Sequence, residues 1–220
     1  MKKFKIAIIA LMTASLLLTA ISFAYLNDVI PLHFGVNGQP DYYGSKYWLL
    51  LLNAITIVSG VAQIAYCQYS NATENYKKQL LLTGTIIQVV FLVIFGAMIA
   101  YAWSYSEEVQ AFDISKLIMI VMGVQFLLIG NYMPKIEKNR VLGVKTKWSL
   151  YNEVTWQKTH RFAGFASMIA GTLVLLLGLF FYDVINFIIL IAVVAVFVVS
   201  TIVASYVYYC QEKRRTECDD

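Results

Sequence analysis

Long apolar runs separated by short polar segments are the main pattern of the sequence. Six runs, each without a charged residue at its centre, cover roughly residues 6–26, 47–66, 81–103, 117–133, 162–182 and 187–209. A helix needs about 20 apolar residues to cross the hydrocarbon core of a bilayer, which is about 30 Å thick. The pattern therefore predicts an all-α, polytopic integral membrane protein with six transmembrane helices.

The composition leaves little room for a separate soluble domain. The chain has 220 residues, of which 60% are hydrophobic and 14% are charged, whereas soluble domains contain about 25% charged residues. The first run could also be read as a cleaved signal peptide, because Ser22 and Ala24 form a small-x-small site. The run is longer than the apolar region of a signal peptide, so we expect a retained span.

Basic residues alternate sharply between successive loops. If the N-terminus is cytoplasmic, only Lys46 and Lys116 of the 17 Lys and Arg residues lie on the outer side. The others, Arg140 among them, lie on the cytoplasmic side. Because cytoplasmic loops of membrane proteins carry an excess of Lys and Arg, we expect both termini in the cytoplasm. The acidic residues of the outer side would be Asp28, Asp41, Glu107, Glu108, Asp113 and Asp183.

The centres of the six runs contain amides and hydroxyls but no Asp, Glu, Arg or His. Transporters that couple to protons usually need ionisable groups in the bilayer, so this composition disfavours a transporter. We expect the amides, among them Asn53, Gln63 and Gln88, to form hydrogen bonds between helices. Glycines at a seven-residue spacing in the fifth run predict a packing stripe: Gly164, Gly171 and Gly178.

The positions of cysteine and histidine predict neither a disulfide nor a metal site. Cys67, Cys210 and Cys218 all fall on the cytoplasmic side, where thiols stay reduced. His33 and His160 lie on opposite sides of the membrane, so the two cannot join one zinc site. We expect no metal and no cofactor.

The outer loop, residues 31–46, is rich in residues that form turns. Gly35, Gly38 and Gly44 permit a positive φ, and Asn37-Gly38 is typical of a tight turn. These residues predict a compact cap on the membrane surface instead of a loose linker.

Two interpretations of the outer loop remain open. It is either a tight turn that returns the chain to the membrane, with His33 making one hydrogen bond, or a recognition surface for an extracellular molecule. In either case Asp41 and Lys46 could form an ion pair. The loop has no Cys nucleophile and no paired carboxylates, so we expect no catalytic residue in it.

The inner loop, residues 131–161, is strongly basic, and its acidic residues are Glu137 and Glu153. Its charge could anchor the chain on anionic lipid or dock a cytoplasmic partner. Direct contact with nucleic acid is disfavoured, because the loop is held at a membrane that repels DNA. Ser149 or Asn152 is suited to cap a helix that leads into the fifth run.

One face of that helix could carry chemistry. Glu153, Trp156 and His160 are spaced to share a face. Glu153 and His160 could then act as base and acid in a membrane enzyme that modifies lipid. No nucleophile or metal set accompanies them, so this hypothesis is only an alternative.

Both loops contain ordered sets of residues at defined spacings. The outer loop reads Ile30-Pro31-Leu32-His33-Phe34, followed by Gly38, Asp41, Gly44, Ser45 and Lys46. The inner loop and its flanks contain Gly130, Asn131, Asn139, Leu142, Gly143, Val144, Lys145, Thr146, Trp148, Ser149, Leu150, Trp156, Thr159, His160 and Arg161. These sets resemble the two signatures of the SdpI family of bacterial immunity proteins. The family commonly has arginine where this chain has Lys145, and proline where it has Lys147.

The resemblance implies a function. Such proteins protect the producing cell from its own secreted antimicrobial peptide toxin, and signalling is implied through a cytoplasmic ArsR-type autorepressor that is held at the membrane. The implied location is the bacterial cell membrane, and the implied partners are a peptide toxin, a repressor and membrane lipids, without direct contact with nucleic acid. A transporter or exporter and a membrane enzyme are the alternatives.

The resemblance also divides the chain and assigns roles to residues. Residues 1–80 would form an N-terminal part with the outer loop, and residues 81–220 an SdpI-like part with the basic segment 134–161. The toxin-facing residues would be Pro31, His33, Gly38, Asp41, Gly44 and Lys46. The cytoplasmic signalling residues would be Asn131, Asn139, Gly143, Lys145, Thr146, Trp148, Trp156, His160 and Arg161. No catalytic residue is implied.

Overall fold

Membrane-length helices account for most of the fold. The computed structural model describes residues 1–106, 113–139 and 141–219. Its helices are α1 Lys2–Tyr25, α2 Trp48–Tyr69, α3 Glu74–Ser106, α4 Ile114–Tyr132, α5 Glu153–Phe180 and α6 Asp183–Asp219. All six are long and apolar enough to cross a membrane, which confirms the predicted all-α, multi-pass membrane fold. Glu107, Glu108 and Arg140, which contributed to the charge pattern, lie outside the described residues.

Two short strands lie between α1 and α2. β1 (Val29–Phe34) and β2 (Pro40–Ser45) pair antiparallel and form a hairpin. The chain divides into two compact units, Met1–Ser115 and Lys116–Asp220. The first unit contains α1, the hairpin, α2 and α3, and the second contains α4, α5 and α6.

Buried amides link the helices of the first unit. Asn53 Nδ2 donates to Thr19 Oγ1 at 2.9 Å, which joins α2 to α1. Gln88 Nε2 donates to the backbone oxygen of Thr56 at 3.0 Å and to Ser59 Oγ at 2.8 Å, which joins α3 to α2. These bonds confirm the predicted role of Asn53 and Gln88. Lipid tails are as apolar as the helices, so the hydrophobic effect contributes little to helix association in a membrane. Hydrogen bonds of this kind and close packing hold the helices together instead.

An apolar cluster supports the hairpin at its junction with the helices. Leu26 of α1's end, Ile30 of β1, Leu49 of α2, and Phe95 and Ala102 of α3 are all buried in it. The hairpin therefore has its own apolar anchor and is not a free surface loop.

The glycine stripe of α5 packs directly against α4. A Cβ on Gly164 would lie 2.7 Å from the backbone oxygen of Gly130, and a Cβ on Gly171 would lie 2.7 Å from that of Gly123. Gly178 similarly faces the side chain of Met119. The stripe lets the two backbones approach closely, as predicted.

The ends of the helices place the inner loop. α4 ends at Tyr132, and Pro134 lies in the short 3₁₀ turn Met133–Lys135 that follows. α6 is 37 residues long, which corresponds to about 55 Å at 1.5 Å per residue. A hydrocarbon core of about 30 Å cannot contain this length, so the end of α6 extends beyond the membrane.

Candidate functional site

The outer loop folds into the β-hairpin. Val29 lies opposite Ser45 and Pro31 lies opposite Tyr43, and the register becomes irregular between Pro31 and His33. Proline is tolerated at strand irregularities because it donates no ladder hydrogen bond. Short strands that contain proline and glycine lack a regular alternation of apolar and polar residues, so the sequence predicted turns but not strands.

A tight turn closes the hairpin. Gly38 N–H donates to the backbone oxygen of Gly35 at 2.9 Å, and Gly35 N–H donates to that of Gln39 at 2.8 Å. Asn37 Oδ1 accepts a hydrogen bond from Gln39 N–H at 3.2 Å. Gly38 has a φ of 72°, which glycine adopts at little cost. Gly38 is therefore a structural requirement of the turn.

Two further residues of the outer set support the hairpin from within. Pro31 is buried. A Cβ on Gly44 would lie only 2.5 Å from Leu32 Cδ1, so a larger residue would have to displace the Leu32 side chain. Neither Gly35 nor Gly44 has a positive φ, and Gly44 instead packs closely against the Leu32 side chain.

His33 and Asp41 form an exposed polar pair on the hairpin. His33 Nδ1 lies 2.5 Å from Asp41 Oδ1, and the two side chains are 69% and 52% exposed. Asp41 therefore pairs with His33. The suggestion that Asp41 and Lys46 form an ion pair is wrong.

Lys46 instead fastens the hairpin to the end of α1. Its Nζ donates to the backbone oxygens of Phe23 at 3.3 Å and Leu26 at 3.2 Å. It also lies 3.1 Å from Asp28 Oδ1, and the Lys46 side chain is only 14% exposed. A cation at the last turn of a helix stabilises the exposed carbonyl groups there. Lys46 thus supports the hairpin and presents little surface to an external molecule.

The hairpin is also held against α3. The rings of Phe34 and Tyr101 pack edge to face with centroids 4.7 Å apart. The outer residues therefore divide into an exposed pair, His33 and Asp41, and a support. The support consists of Pro31, Gly38, Gly44 and Lys46.

Side-chain hydrogen bonds order the first part of the inner loop. Asn139 Oδ1 accepts from the N–H groups of Val141 at 2.7 Å and Leu142 at 2.6 Å, and Asn139 Nδ2 donates to the backbone oxygen of Glu137 at 2.7 Å. Because three backbone groups depend on it, Asn139 shapes this turn. Asn131, the first of the inner set, lies exposed on the last turn of α4.

The hydrogen bonds at the start of α5 show which of Ser149 and Asn152 caps the helix. Asn152 Oδ1 accepts from Thr155 N–H at 2.8 Å, so Asn152 is the N-cap. Ser149 forms a reciprocal pair with Thr146: each side-chain oxygen accepts the other residue's N–H at 2.9 Å. Ser149 Oγ also donates to the backbone oxygen of Val144 at 2.7 Å.

His160 is the centre around which the inner loop folds. Its Nδ1–H donates to the backbone oxygen of Trp156 at 2.9 Å, and its Nε2 accepts from Val144 N–H at 3.1 Å. A carbonyl only accepts and an N–H only donates, so these partners fix a neutral ring with its proton on Nδ1. Trp156 stacks on the imidazole with centroids 3.9 Å apart, and its Nε1–H donates to the backbone oxygen of Ile136 at 2.8 Å. Both rings are fully buried.

A face of α6 that the sequence analysis did not identify holds the other side of the inner loop. Thr146 Oγ1 lies 2.9 Å from Ser205 Oγ. Two aromatic pairs follow, Trp148 with Tyr206 at 4.9 Å and Tyr151 with Tyr209 at 5.0 Å between centroids. An ion pair between Lys158 and Glu212, with Nζ and Oε2 3.5 Å apart, completes the contact. Ser205, Tyr206 and Tyr209 lie at the end of the sixth apolar run, and Glu212 follows it at helical spacing. This spacing was the available signal.

The cationic members of the inner set point away from this core. Lys145 and Arg161 are exposed, as are Lys147 and Glu153. Glu153 is thus exposed while His160 is buried with both ring nitrogens bonded to the backbone. The arrangement offers no His160 nitrogen to a substrate, which weighs against the acid–base pair considered above.

Metal chemistry finds no support in the described part of the chain. No group of three or more His, Cys, Asp and Glu side chains is placed to hold a metal ion among the residues that the structure describes. Cys67, Cys210 and Cys218 are free thiols.

Comparison with known proteins finds matches over segments that include both loops. Residues 135–205, which include the inner loop from Lys135 onward, match the SdpI/YfhL protein family. Residues 10–57, which include the hairpin, match a domain of unknown function, DUF1648. The immunity protein SdpI of Bacillus subtilis (strain 168) is 24% identical over 209 residues, which cover 95% of this chain and 97% of that protein. No solved structure matches the chain. The comparisons therefore confirm the resemblance to the SdpI family that the two loops carry.

Proposed function

We propose that this protein confers immunity against a secreted antimicrobial peptide toxin at the bacterial cell membrane. The alignment to an immunity protein over nearly the whole of both chains supports this function. The structural observation that carries it is the exposed His33–Asp41 pair on a hairpin that is anchored to α1 and α3.

In this proposal the toxin contacts His33 and Asp41, and the other outer residues hold that pair in place. A rigid support reduces the conformational entropy that binding must overcome. Pro31, Gly38, Gly44 and Lys46 therefore affect toxin recognition through the shape of the hairpin.

A survival assay tests the proposal. The chain is expressed in a sensitive Gram-positive host, which is then challenged with secreted toxins of the related peptide class. We expect growth at toxin concentrations that stop a host carrying the empty vector. Equal sensitivity of both hosts to the whole panel, with the protein present in the membrane, would contradict the proposal.

We also propose that the inner loop signals by holding a cytoplasmic ArsR-type repressor at the membrane. The supporting observation is that the loop is fastened to α6 while Lys145, Lys147 and Arg161 stay exposed. The partner surface of the repressor would be acidic. Asn131, Asn139, Gly143, Thr146, Trp148, Trp156 and His160 would build the loop that presents these charges.

Charge substitution tests the signalling proposal. With a fluorescent repressor co-expressed, Lys145→Ala combined with Lys147→Ala should release the repressor from the membrane into the cytoplasm when toxin is present. Arg214→Ala, which removes an exposed charge from the end of α6, should leave it at the membrane. Equal membrane localisation in all variants would contradict a role for the inner loop.

Enzymatic and transport functions are disfavoured within this proposal. Relationship to an immunity protein suggests a role without catalysis, and the buried His160 has no nitrogen available to act on lipid. A Glu153→Gln variant should therefore protect as well as the parent. Accumulation of labelled toxin in cells should not change when the membrane potential is collapsed. For an exporter driven by that potential, accumulation would rise instead.

A further inference from the structure

A reciprocal arrangement of glycine and glutamine joins α2 and α3. A Cβ on Gly60 of α2 would lie 2.5 Å from Met12 Sδ of α1 and 3.1 Å from Gln88 Nε2, and a Cβ on Gly84 of α3 would collide with the side-chain amide of Gln63. Each glycine therefore makes room for the glutamine of the opposite helix. Glycine inside a helix lowers stability by about 0.5–1 kcal/mol relative to alanine. Close packing at the helix crossing explains why glycine is nevertheless present at these two positions.

Hydrogen bonds fix the orientation of the Gln88 amide. Its Nε2 donates to the backbone oxygen of Thr56 and to Ser59 Oγ. A backbone carbonyl accepts but never donates, so the nitrogen faces Thr56 and the side-chain oxygen faces the opposite way. Gln88 is fully buried. Its Oε1 has no hydrogen-bond partner among the residues that the structure describes.

Gln63 presents a second acceptor of the same kind. Its Oε1 is also buried and without a hydrogen-bond partner in the described part of the chain. A buried acceptor that lacks a donor costs about 1–3 kcal/mol. In a bilayer bulk water cannot remove this cost, so two such oxygens at one helix crossing indicate a site for a hydrogen-bond donor.

The two glutamines lie at neighbouring levels of the helix crossing. Gln88 packs at Gly60, whereas Gln63 packs at Gly84, and each glycine lies about one helical turn from the glutamine of its own helix. One turn is about 5.4 Å. The two glutamines therefore lie about one helical turn apart along the helix axes, and one water molecule can donate a hydrogen bond of about 2.8 Å to each of two acceptors.

We propose that one water molecule binds between the side-chain carbonyl oxygens of Gln63 and Gln88, within the membrane-spanning part of the first unit. The water donates one hydrogen to each oxygen, so both acceptors are satisfied without a direct bond between the two side chains. It holds α2 and α3 in register at the point where the glycines allow their closest approach. This site is independent of the proposed immunity function.

Water-edited solid-state NMR of the full chain in lipid vesicles, with labelled glutamine and asparagine, tests the site. We expect magnetisation from water to reach the side-chain carbonyl carbon of Gln88 at short mixing times. Asn53 is the matched control, because it is 3% exposed and donates to Thr19 within the same unit. Transfer to Gln88 should be several-fold faster than transfer to Asn53.

A substitution separates one bridging water from two unrelated waters. Gln88→Met removes one acceptor, and the water signal at Gln63 should then fall several-fold. An unchanged Gln63 signal in the folded variant would overturn the bridging site. Transfer to Gln88 no faster than to Asn53 in the parent protein would overturn it without any variant.

Discussion

Gly143 and the imidazole of His160 compete for the same small space in the inner loop. A Cβ on Gly143 would collide with His160 Nε2, and Gly143 has a φ of 97°. His160 Nε2 also accepts the N–H of the next residue, Val144, at 3.1 Å. The backbone is therefore wrapped onto the buried ring so closely that no side chain fits at position 143.

We expect Gly143→Ala to destabilise the second unit. The left-handed backbone and the displaced ring together should lower the free energy of unfolding by about 2–4 kcal/mol. Tryptophan fluorescence during denaturation of the purified protein measures this, since Trp148 and Trp156 lie in the loop. Gly96→Ala is the control: a Cβ there has no described atom within 4 Å, so stability should be unchanged or rise by up to about 1 kcal/mol. Equal losses in both variants would contradict the role given to Gly143.

Lys46→Met should loosen the hairpin without removing the exposed polar pair. The change removes hydrogen bonds to the backbone oxygens of Phe23 and Leu26, and we expect the free energy of unfolding to fall by about 1.5–3 kcal/mol because the donor is charged. Limited proteolysis of the hairpin in vesicles should become faster. Lys78→Met removes an exposed lysine and should leave the cleavage rate unchanged. If the hairpin of the Lys46→Met variant is cleaved no faster than that of the parent, Lys46 does not hold the hairpin in place.

The Thr146–Ser205 contact predicts measurable coupling between the inner loop and α6. A double-mutant cycle with Thr146→Val and Ser205→Ala should give an interaction free energy of about 0.5–1.5 kcal/mol, because the two hydroxyls form one hydrogen bond. Thr146→Val with Thr172→Val is the matched cycle, since Thr172 bonds only within α5 as far as the described contacts go. That control should be additive. Additivity in both cycles would argue against fastening through this bond.

The charge pattern predicts which loop faces the outside. In single-cysteine variants, an impermeant maleimide added to intact cells should label Gln39→Cys in the hairpin turn. It should label Cys218, which is exposed at the end of α6, only after the cells are lysed. The reverse pattern would invert the orientation and assign the hairpin to the cytoplasm.

Local rules made several features predictable from sequence. Pro134 stops α4 because proline cannot continue a helix, and Asn152 caps α5 because its side chain accepts a free N–H of the first turn. The glycine spacing of α5 likewise indicated a packing stripe, although not that α4 packs against it. Each feature depends on residues within a few positions of one another or on one regular spacing.

Contacts between distant segments were not predictable. Lys46 was expected to pair with Asp41, five residues away, but it reaches back to carbonyl groups of Phe23 and Leu26 instead. The hairpin places His33 beside Asp41, and this pairing depends on a strand register that the irregular sequence does not reveal. The contacts of α6 with the inner loop required knowledge of which helix the loop folds against.

The central claim is that the outer hairpin recognises the toxin through its exposed pair. The most direct test is survival of toxin-challenged cells that express His33→Ala combined with Asp41→Ala, with the exposed turn variant Gln39→Ala as control and membrane levels measured for each. We expect the double variant to lose protection at normal membrane levels, because both toxin-contacting groups are gone, and the control to keep it. Full protection by the double variant would contradict recognition through His33 and Asp41.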